Sequence, residues 1–272
     1  MKISISNIAW DAEYDEEMYA FLEKNSFDGL EIAPTRIWKE NPYSHIKEAK
    51  EFRNCMEEKY GLQIASMQSI WYGCSERVFG EKKERDKLID HTKRAFEFAD
   101  ALGCGNLVFG CPKNRNVFEG CAADVQRTAI EFFGELAELA QNNHTVLAME
   151  ANPPIYNTNF VNRTEEAVEL IKAVDRPGFM LNYDLGTVIY NEEDIADVKK
   201  ILPLINHVHI SEPGLKPVGF ESPQKELCRI LEEAAYPNFV SVEMGNLNDI
   251  SKVQALCLNF SSLVRGKQHE VR

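Results

Sequence analysis

Eight short apolar runs alternate with longer segments of helical periodicity along the 272 residues of this chain. The runs begin near residues 2, 28, 63, 105, 146, 178, 205 and 239. A short apolar run followed by an amphipathic segment is typical of a strand and the helix that follows it. Repeated eight times over roughly 250 residues, this pattern predicts a closed parallel barrel. The predicted fold class is therefore α/β, with a single (β/α)8 TIM barrel that spans residues 1–272 as one domain.

Several helix boundaries have signals in the sequence. Lys82–Leu102 and Asp124–Gln141 each place their apolar residues on one stripe, which is expected to cover the outside of the sheet. Gly61 and Gly103 stand where helices are expected to end. Asn162, three residues before a glutamate, resembles a helix-capping residue. The polar tail, residues 265–272, is expected to fray.

An open, doubly wound sheet is the main alternative to the barrel. Such folds typically bind a nucleotide through a glycine-rich turn after an early strand. Neither G-x-G-x-x-G nor G-x-x-x-x-G-K-[ST] occurs in the sequence. The barrel is therefore favoured, and the carboxyl ends of its strands are expected to meet at one mouth.

Composition narrows the range of partners and compartments. A formal net charge of −13 and a pI near 5.0 disfavour nucleic acid, which is bound chiefly through Lys and Arg. The seven cysteines include no Cys-x-x-Cys pair, and no apolar run approaches the roughly 20 residues of a membrane-spanning helix. The amino terminus enters a strand without the apolar segment of a signal peptide. We expect a reduced, cytoplasmic protein that binds a small polar molecule and no membrane, as a monomer or a homo-oligomer.

Four residues with metal-binding side chains end the last four apolar runs. Glu150, Asp184, His209 and Glu243 are separated by 34, 25 and 34 residues, with a helical pattern in each interval. A single acidic residue at a strand end is often solvated or caps a helix, but a complete ligand set on successive strands has no such explanation. Three oxygen ligands and one nitrogen suit manganese, magnesium, cobalt or zinc. The sequence predicts one divalent metal ion at the mouth of the barrel.

His207 stands two residues before His209, so both side chains point to the same side of their strand. One interpretation of His207 is a hydrogen-bonded residue of the core. The other is a partner that orients the predicted metal ligand from behind.

Five short segments spread over most of the chain form a series: Gly29–Ile32, Leu107–Gly110, Met149–Pro154, Leu181–Gly186 and His207–Glu212. In this order they resemble the xylose isomerase-like barrels, which include sugar phosphate isomerases/epimerases, ketose 3-epimerases, hydroxypyruvate isomerases and the endonuclease IV group. In the ketose epimerases a glutamate, an aspartate, a histidine and a second glutamate bind the metal, and the four residues above match them. The resemblance implies that Glu150 and Glu243 also move protons as an acid/base pair.

The implied chemistry is proton transfer beside a carbonyl group. A divalent cation that holds carbonyl and hydroxyl oxygens stabilises the enediolate as a Lewis acid. Two glutamates on opposite faces of the substrate would invert the carbon centre, whereas one base that moves a proton between adjacent carbons would interconvert an aldose and a ketose. We therefore predict a metal-dependent isomerase or epimerase that acts on a sugar, a sugar phosphate or a related hydroxy-ketone.

Thr187 departs from the family pattern. The ketose 3-epimerases place a substrate-binding histidine there, and the endonuclease IV group places an additional metal-binding histidine there. Gln68 likewise stands where the endonuclease IV group has a histidine. These departures argue against ketohexose 3-epimerisation and against a trinuclear nuclease centre. Three alternatives remain: a dehydratase on the same metal site, an endonuclease IV-like phosphoesterase, and a barrel that binds a sugar without catalysis.

Further residues near the predicted mouth are candidates for substrate contacts: Trp10, Glu31, Gln68, Trp71, Lys113, Arg115, Asn152, Glu212 and Lys216. Trp10 and Trp71 are expected either to pack against the carbon face of a sugar or to belong to the core. Glu31 lies in an apolar run where a buried carboxylate would need a partner, which favours a position at the mouth. Lys113 and Arg115 are interpreted as a receptor for a phosphate or a carboxylate, with an ordinary solvated loop as the alternative.

Overall fold

The computed structural model describes residues 1–118 and 120–265, which form a closed barrel of eight parallel strands. Each strand pairs with its neighbours in chain order, and the first pairs with the last to close the barrel. The strands are β1 (Lys2–Ser6), β2 (Gly29–Ile32), β3 (Gln63–Met67), β4 (Leu107–Phe109), β5 (Leu147–Glu150), β6 (Phe179–Asp184), β7 (Ile205–Ile210) and β8 (Phe239–Val242). The predicted TIM barrel is confirmed, and every strand begins within two residues of its predicted start.

Helices follow the strands and cover the outside of the sheet. They are α1 (Asp15–Lys24), α2 (Pro34–Ile37), α3 (Ile46–Tyr60), α4 (Lys82–Leu102), α5 (Ala122–Asn142), α6 (Thr164–Val174), α7 (Leu185–Tyr190), α8 (Val198–Ile201), α9 (Ser222–Glu233) and α10 (Ile250–Arg265). Within the described part of the chain, no helix has both the length and the apolar character needed to cross a membrane. Of the tail predicted to fray, residues 265–272, Arg265 is the last residue of α10, and residues 266–272 lie outside the described part of the chain.

The helix ends follow the sequence signals at two glycines but not at Asn162. Gly61 and Gly103 follow α3 and α4 with φ of 64° and 65°, a left-handed conformation that glycine adopts without strain. The predicted cap at Asn162 is wrong, because α6 begins after Arg163 and the Asn162 amide donates to the carbonyl of Asn152 instead. Asn162 thus stabilises the loop between β5 and α6, at the mouth of the barrel.

The interior of the barrel is unusually polar. Glu31 on β2 contacts His209 on β7, and because these strands are not neighbours, both side chains must cross the interior. Further from the mouth, His207 Nε2 lies 2.9 Å from the hydroxyl of Ser241, which lies 2.6 Å from the hydroxyl of Ser4. TIM barrels are typically filled with branched aliphatic residues, since unpaired polar groups are costly to bury. Here hydrogen bonds satisfy these groups and support the residues at the mouth from below.

Gly178 marks a close backbone approach between the sheet and a covering helix. An added Cβ there would lie 2.0 Å from the carbonyl oxygen of Ala137 in α5. We expect Gly178→Ala to lower the free energy of unfolding by about 3 kcal/mol, because the main chain must move. In a matched variant within α5, Gly134→Ala, the added Cβ meets no atom within 4 Å, and a gain of up to about 1 kcal/mol is expected. Chemical denaturation measures both, and equal stabilities would contradict the close approach.

Candidate metal centre and substrate cavity

Four side chains converge at the carboxyl ends of β5 to β8. They belong to Glu150, Asp184, His209 and Glu243, and one potential ligand atom from each lies within 4.8 Å of the others. His209 Nδ1 is 2.9 Å from Glu150 Oε1 and 3.1 Å from Glu243 Oε2. All four residues are buried, with at most 9% of their surface exposed. The structure therefore brings together the complete set of predicted ligands.

Asp184 is held by the turn that joins β6 to α7. It caps α7, because the backbone N–H of Thr187 donates to Asp184 Oδ2 at 2.8 Å. The hydroxyl of Ser211, just after β7, donates to Oδ1. The Thr187 hydroxyl lies 2.7 Å from the carbonyl oxygen of Ala151, which ties this turn to the end of β5. Thr187 thus orients the Asp184 carboxylate from behind.

Two amides hold the Glu150 carboxylate. Asn182 Nδ2 donates to Oε1 at 2.7 Å, and Asn152 Nδ2 donates to Oε2 at 2.9 Å. Asn152 is held in turn by Arg115, whose Nη2 donates to its Oδ1 at 3.0 Å. A Cβ added at Gly110 would lie 2.9 Å from Glu150 Oε2, so a side chain at that position would crowd the carboxylate. The orientation of Glu150 therefore depends on groups that follow or belong to three different strands.

Glu31 lies on the other side of the His209 ring. Its Oε2 is 2.9 Å from His209 Nε2 and 3.2 Å from His207 Nε2. The mouth-facing position predicted for Glu31 is wrong, because the residue is fully buried and both imidazoles supply the partner it needs. Burial opposes ionisation, but the charge of His209 and the hydrogen bonds from both imidazoles outweigh it and lower the pKa of the Glu31 carboxyl. An ionised Glu31 accepts the proton of His209 Nε2, which leaves Nδ1 to face the other three ligands.

The cluster has the charge and the donor atoms that suit a divalent cation. Burial and the charge of Glu150 raise the pKa of the Asp184 carboxyl. Burial likewise raises the pKa of Glu243 to about 7. Burial also disfavours a charged His209, but the charges of Glu243 and Glu31 outweigh it and raise the pKa of that imidazole. These shifts arise because the buried cluster holds several carboxylates and little positive charge to balance them. Its oxygen and imidazole donors are suitable ligands for a small divalent metal ion.

Metal binding is expected to strengthen as the pH rises through neutrality. Below about pH 7 the raised pKa of Glu243 keeps a proton on its carboxyl. The pKa of His209 is raised as well, and both protons must leave before the groups act as ligands. We expect the apparent Kd for Mn²⁺ to rise at least about tenfold when the pH falls from about 8 to about 6. Isothermal titration calorimetry in buffers of different ionisation enthalpy measures affinity and proton release together. A constant Kd without proton release would contradict the shifted pKa values.

A cavity of about 150 Å³ opens onto the cluster at the mouth of the barrel. Its lining residues come from strand ends and from the loops that follow them: Gln68, Ser69, Val108, Gly110, Cys111, Pro112, Glu150, Asn152, Tyr156, Asp184, Ser211, Leu215 and Glu243. The N–H of Gly214 donates to the hydroxyl of Tyr156 at 3.0 Å, which links the loops after β7 and β5 across the mouth. Because drug-sized ligand sites typically measure about 300 to 1,000 Å³, this cavity suits a small molecule.

Comparison with known proteins identifies the family. Residues 19–259 match the model of the xylose isomerase-like TIM barrel. The chain belongs to this family. Inosose dehydratase from Klebsiella pneumoniae (strain 342) is 24% identical over 226 residues, which cover 78% of this chain and 71% of that protein.

Solved structures of other proteins share the fold at low sequence identity. D-psicose 3-epimerase, crystallised in the presence of D-fructose, gives a TM-score of 0.80 at 18% identity and covers 98% of this chain and 100% of that chain. The IOLI protein with a bound zinc atom gives a TM-score of 0.69 at 17% identity and covers 100% of this chain and 98% of that chain. These likenesses extend over the whole barrel and not over one segment of it.

Two of the polar residues predicted to contact a substrate line the cavity of this xylose isomerase-like barrel. They are Gln68 and Asn152. Gln68 Nε2 donates to Glu31 Oε1 at 3.0 Å, so its side chain connects the cavity with the carboxylate behind His209. Both residues therefore line the cavity and contact a carboxylate that belongs to the candidate metal ligands or supports one of them.

The two tryptophans lie outside the cavity and belong to the packed core. Trp10 and Trp71 are each 2% exposed. The indole N–H of Trp10 donates to Asp15 at 2.9 Å, and that of Trp71 donates to Thr92 at 2.8 Å. The ring of Trp71 also packs edge-on against Phe109 on β4. Of the two expected placements, the core and the sugar-binding wall, the structure has the core for both tryptophans. Residues of neighbouring helices accept the hydrogen bonds from both indoles.

Arg115 does not reach the mouth. Neither the anion receptor at the mouth nor the solvated loop describes this residue, which is fully buried and donates to the backbone carbonyls of Glu150 and Val161 at 2.8 and 3.2 Å. Burial lowers the pKa of its guanidinium to about 10, so it is still charged at neutral pH. Arg115 thus joins the loop after β4 to the end of β5 and supports Glu150 from outside the cavity.

Three other charged candidates do not line the cavity. Lys113 and Lys216 are exposed. Glu212 is half-buried, and its Oε1 accepts a hydrogen bond from Gln224 at 2.5 Å. Their loops surround the mouth, but their side chains turn towards solvent or towards α9.

Several residues that shape the site were not among the candidates. Asn182 stands two residues before Asp184, and Ser211 stands two residues after His209. A spacing of two places side chains on the same face of a strand, so it could have indicated that both residues lie near the site. Tyr156 lies in a short turn without a strand pattern, so no signal marked it. The closeness of Gly110 to Glu150 appears only once β4 and β5 are paired.

Proposed function

We propose that this protein is a metal-dependent isomerase or epimerase that moves a proton beside the carbonyl group of a small polyhydroxylated ketone. One observation carries the proposal: Glu150 and Glu243 line the same cavity and both approach Nδ1 of His209. A pair of carboxylates next to one ligand set supplies a base and an acid within reach of one small substrate.

The donor set defines where the metal ion would be held. Glu150, Asp184, His209 and Glu243 would bind it, and it would supply Lewis-acid stabilisation of the negative charge that develops on the substrate's oxygens. Asp184 is already held by Thr187 and Ser211, so it serves as a fixed ligand. Glu31 holds the His209 ring and directs Nδ1 at the site.

The two glutamates have different surroundings, which suits different proton-transfer roles. Glu150 accepts amide hydrogen bonds at both oxygens, and these hold its carboxylate in place at the cavity as the base that removes a proton. Glu243 lines the cavity with its Oε2 3.1 Å from His209 Nδ1, and we assign it the return of the proton. Glu150 ends β5 and Glu243 follows β8, and these strands are three apart in the closed sheet. Carboxylates from strands this far apart support inversion of a carbon centre over proton return to the same face.

A dehydratase is the second candidate, and the relative from Klebsiella pneumoniae favours it. That protein is named inosose dehydratase and covers 78% of this chain. Loss of water from a hydroxy-ketone begins with the same proton removal, after which a hydroxyl on the next carbon leaves with a proton from the second glutamate. The ketose 3-epimerases resemble one another in having a histidine at the position of Thr187. The threonine here therefore fits a dehydratase as well. The two reactions share a first step and differ in the second.

Solvent exchange tests the shared first step before any product is known. Protein loaded with Mn²⁺ is incubated in deuterated water with ketoses, inososes and small hydroxy-ketones, and NMR spectra are recorded after removal of protein and metal. We expect metal-dependent deuterium incorporation at a carbon next to the carbonyl. A new stereoisomer supports the epimerase, and a dehydrated product supports the dehydratase. Absence of exchange across the panel, with tight metal binding confirmed by calorimetry, would rule out the proposed chemistry.

A further inference from the structure

The cavity has an uneven distribution of charge. Its charged lining residues are the three carboxylates of Glu150, Asp184 and Glu243, and within residues 1–118 and 120–265 no Lys or Arg lines it. A doubly charged metal ion beside three carboxylates would still leave one net negative charge. A phosphate or carboxylate group on the substrate would meet this charge in a partly buried site, where electrostatic repulsion is stronger than in water.

The cations nearest to the mouth in sequence do not offset this charge. The Arg115 guanidinium is turned away from the cavity, because it donates to the carbonyls of Glu150 and Val161 and to the side chain of Asn152. Lys113 and Lys216 are exposed and do not line the cavity. None of the three is placed to pair with an anion inside it.

Three backbone amides are already used in the loops where a TIM barrel commonly binds phosphate. That site is built from the loops after β7 and β8. Here the N–H of Gly214 donates to the hydroxyl of Tyr156 at 3.0 Å, and the N–H of Leu215 donates to the carbonyl of Glu212 at 3.0 Å. The N–H of Gly245 donates to the carbonyl of Leu215 at 2.9 Å. These amides hold the loops together and are not free for a phosphate oxygen.

The loop residues that complete the cavity are uncharged. Pro112 and Leu215 present apolar surface, and Tyr156 presents a phenol whose oxygen accepts from Gly214. The phenol stays neutral at physiological pH, because burial raises the pKa of Tyr156 to about 12. Its own hydroxyl proton remains available for an oxygen of the substrate. This wall suits the hydroxyl groups and carbon face of a neutral sugar.

We infer that the substrate is an unphosphorylated, uncharged polyhydroxy ketone, and that phosphate esters and sugar acids are excluded. This inference rests on the proposed function and narrows its substrate class. It follows from the charge of the cavity, the internal use of the loop amides and the neutral outer wall.

Matched pairs of free and phosphorylated ketoses test the inference. Exchange in deuterated water is measured for D-fructose against D-fructose 6-phosphate and for D-ribulose against D-ribulose 5-phosphate, with inososes as further neutral probes. We expect kcat/KM for exchange to be at least about tenfold higher for the free member of each pair. Faster exchange of the phosphate esters would overturn the inference and leave the proposed function in place.

If no probe exchanges, that result counts against the proposed function and not against the inference. A binding measurement then tests the inference by itself. Ligand-observed NMR with Mg²⁺-loaded protein compares the affinities within each pair. Tighter binding of the phosphate esters overturns the inference, and tighter binding of the free sugars supports it.

Two substitutions at Leu215 test the electrostatic cause. Leu215→Lys adds a cation to the cavity wall, and Leu215→Met is its neutral control of similar length. We expect the ratio of phosphorylated to free ketose affinity to be at least about fivefold higher in L215K than in L215M. Equal ratios would show that charge does not exclude the phosphate and would overturn the inference. A selective loss of phosphate-ester binding in the double variant K113M/K216M would overturn it too, because it would reveal an anion site at the rim.

Discussion

Glu150→Gln is expected to lower the rate of metal-dependent proton exchange by about 10³-fold. Glutamine keeps the size of the side chain, and its amide oxygen can still accept the hydrogen bond that Asn182 donates to Oε1. It cannot take up a proton, so the transfer assigned to Glu150 is lost while the fold remains. The rate of deuterium incorporation at saturating Mn²⁺ measures the effect on whichever ketose the wild-type protein exchanges.

Two controls separate loss of the base from loss of the site. Glu192→Gln makes the same change at an exposed carboxylate outside the cavity, and the wild-type exchange rate is expected. Calorimetric titration of Mn²⁺ into E150Q shows whether the metal ion still binds, and thermal melting shows whether the barrel is intact. Full exchange by metal-loaded E150Q would exclude Glu150 as the base and shift that role to Glu243.

The cluster of candidate metal ligands can be predicted from the sequence because of barrel geometry. Each predicted ligand follows its own apolar run, and in a closed parallel sheet all carboxyl strand ends meet at one mouth. The position of a residue within its own strand therefore predicts its place in the site, without knowledge of distant contacts. Glu150, Asp184, His209 and Glu243 are brought together for this reason.

The environment of the other charged residues cannot be predicted in this way. Glu31 is buried because it pairs with His209, which is 178 residues away in sequence. Arg115 is buried because its carbonyl partners at Glu150 and Val161 lie 35 and 46 residues further along the chain. A local pattern shows that a charge follows or enters a strand, but the free energy that decides between burial and solvent comes from such distant partners. The sequence likewise did not decide between the core and the cavity wall for Trp71. Its indole N–H donates to Thr92 on α4, and this distant partner holds the ring in the core.

Gly110→Ala is expected to lower the exchange rate by about 10²-fold with little loss of stability. The added Cβ would lie 2.9 Å from Glu150 Oε2 and 3.3 Å from Asn152 Oδ1, so it presses on the two side chains that set the carboxylate's position. Glu150 cannot swing freely away, because Asn182 holds its other oxygen. A shift of about 1 Å in a catalytic group is sufficient for a loss of this size. Exchange kinetics and chemical denaturation measure the two effects separately.

Gly105→Ala is the matched control, since the two glycines flank β4 at its opposite ends. Neither has a positive φ, so alanine strains the backbone at neither position. A Cβ at Gly105 meets no atom within 4 Å, and wild-type exchange is expected. If G110A retained wild-type exchange, Glu150 would not need its present orientation, and the roles assigned to Asn152 and Asn182 would fail with it. If both variants lost exchange equally, the cause would lie in β4 itself and not in contact with Glu150. Loss in G110A alone ties the rate to the position of one carboxylate.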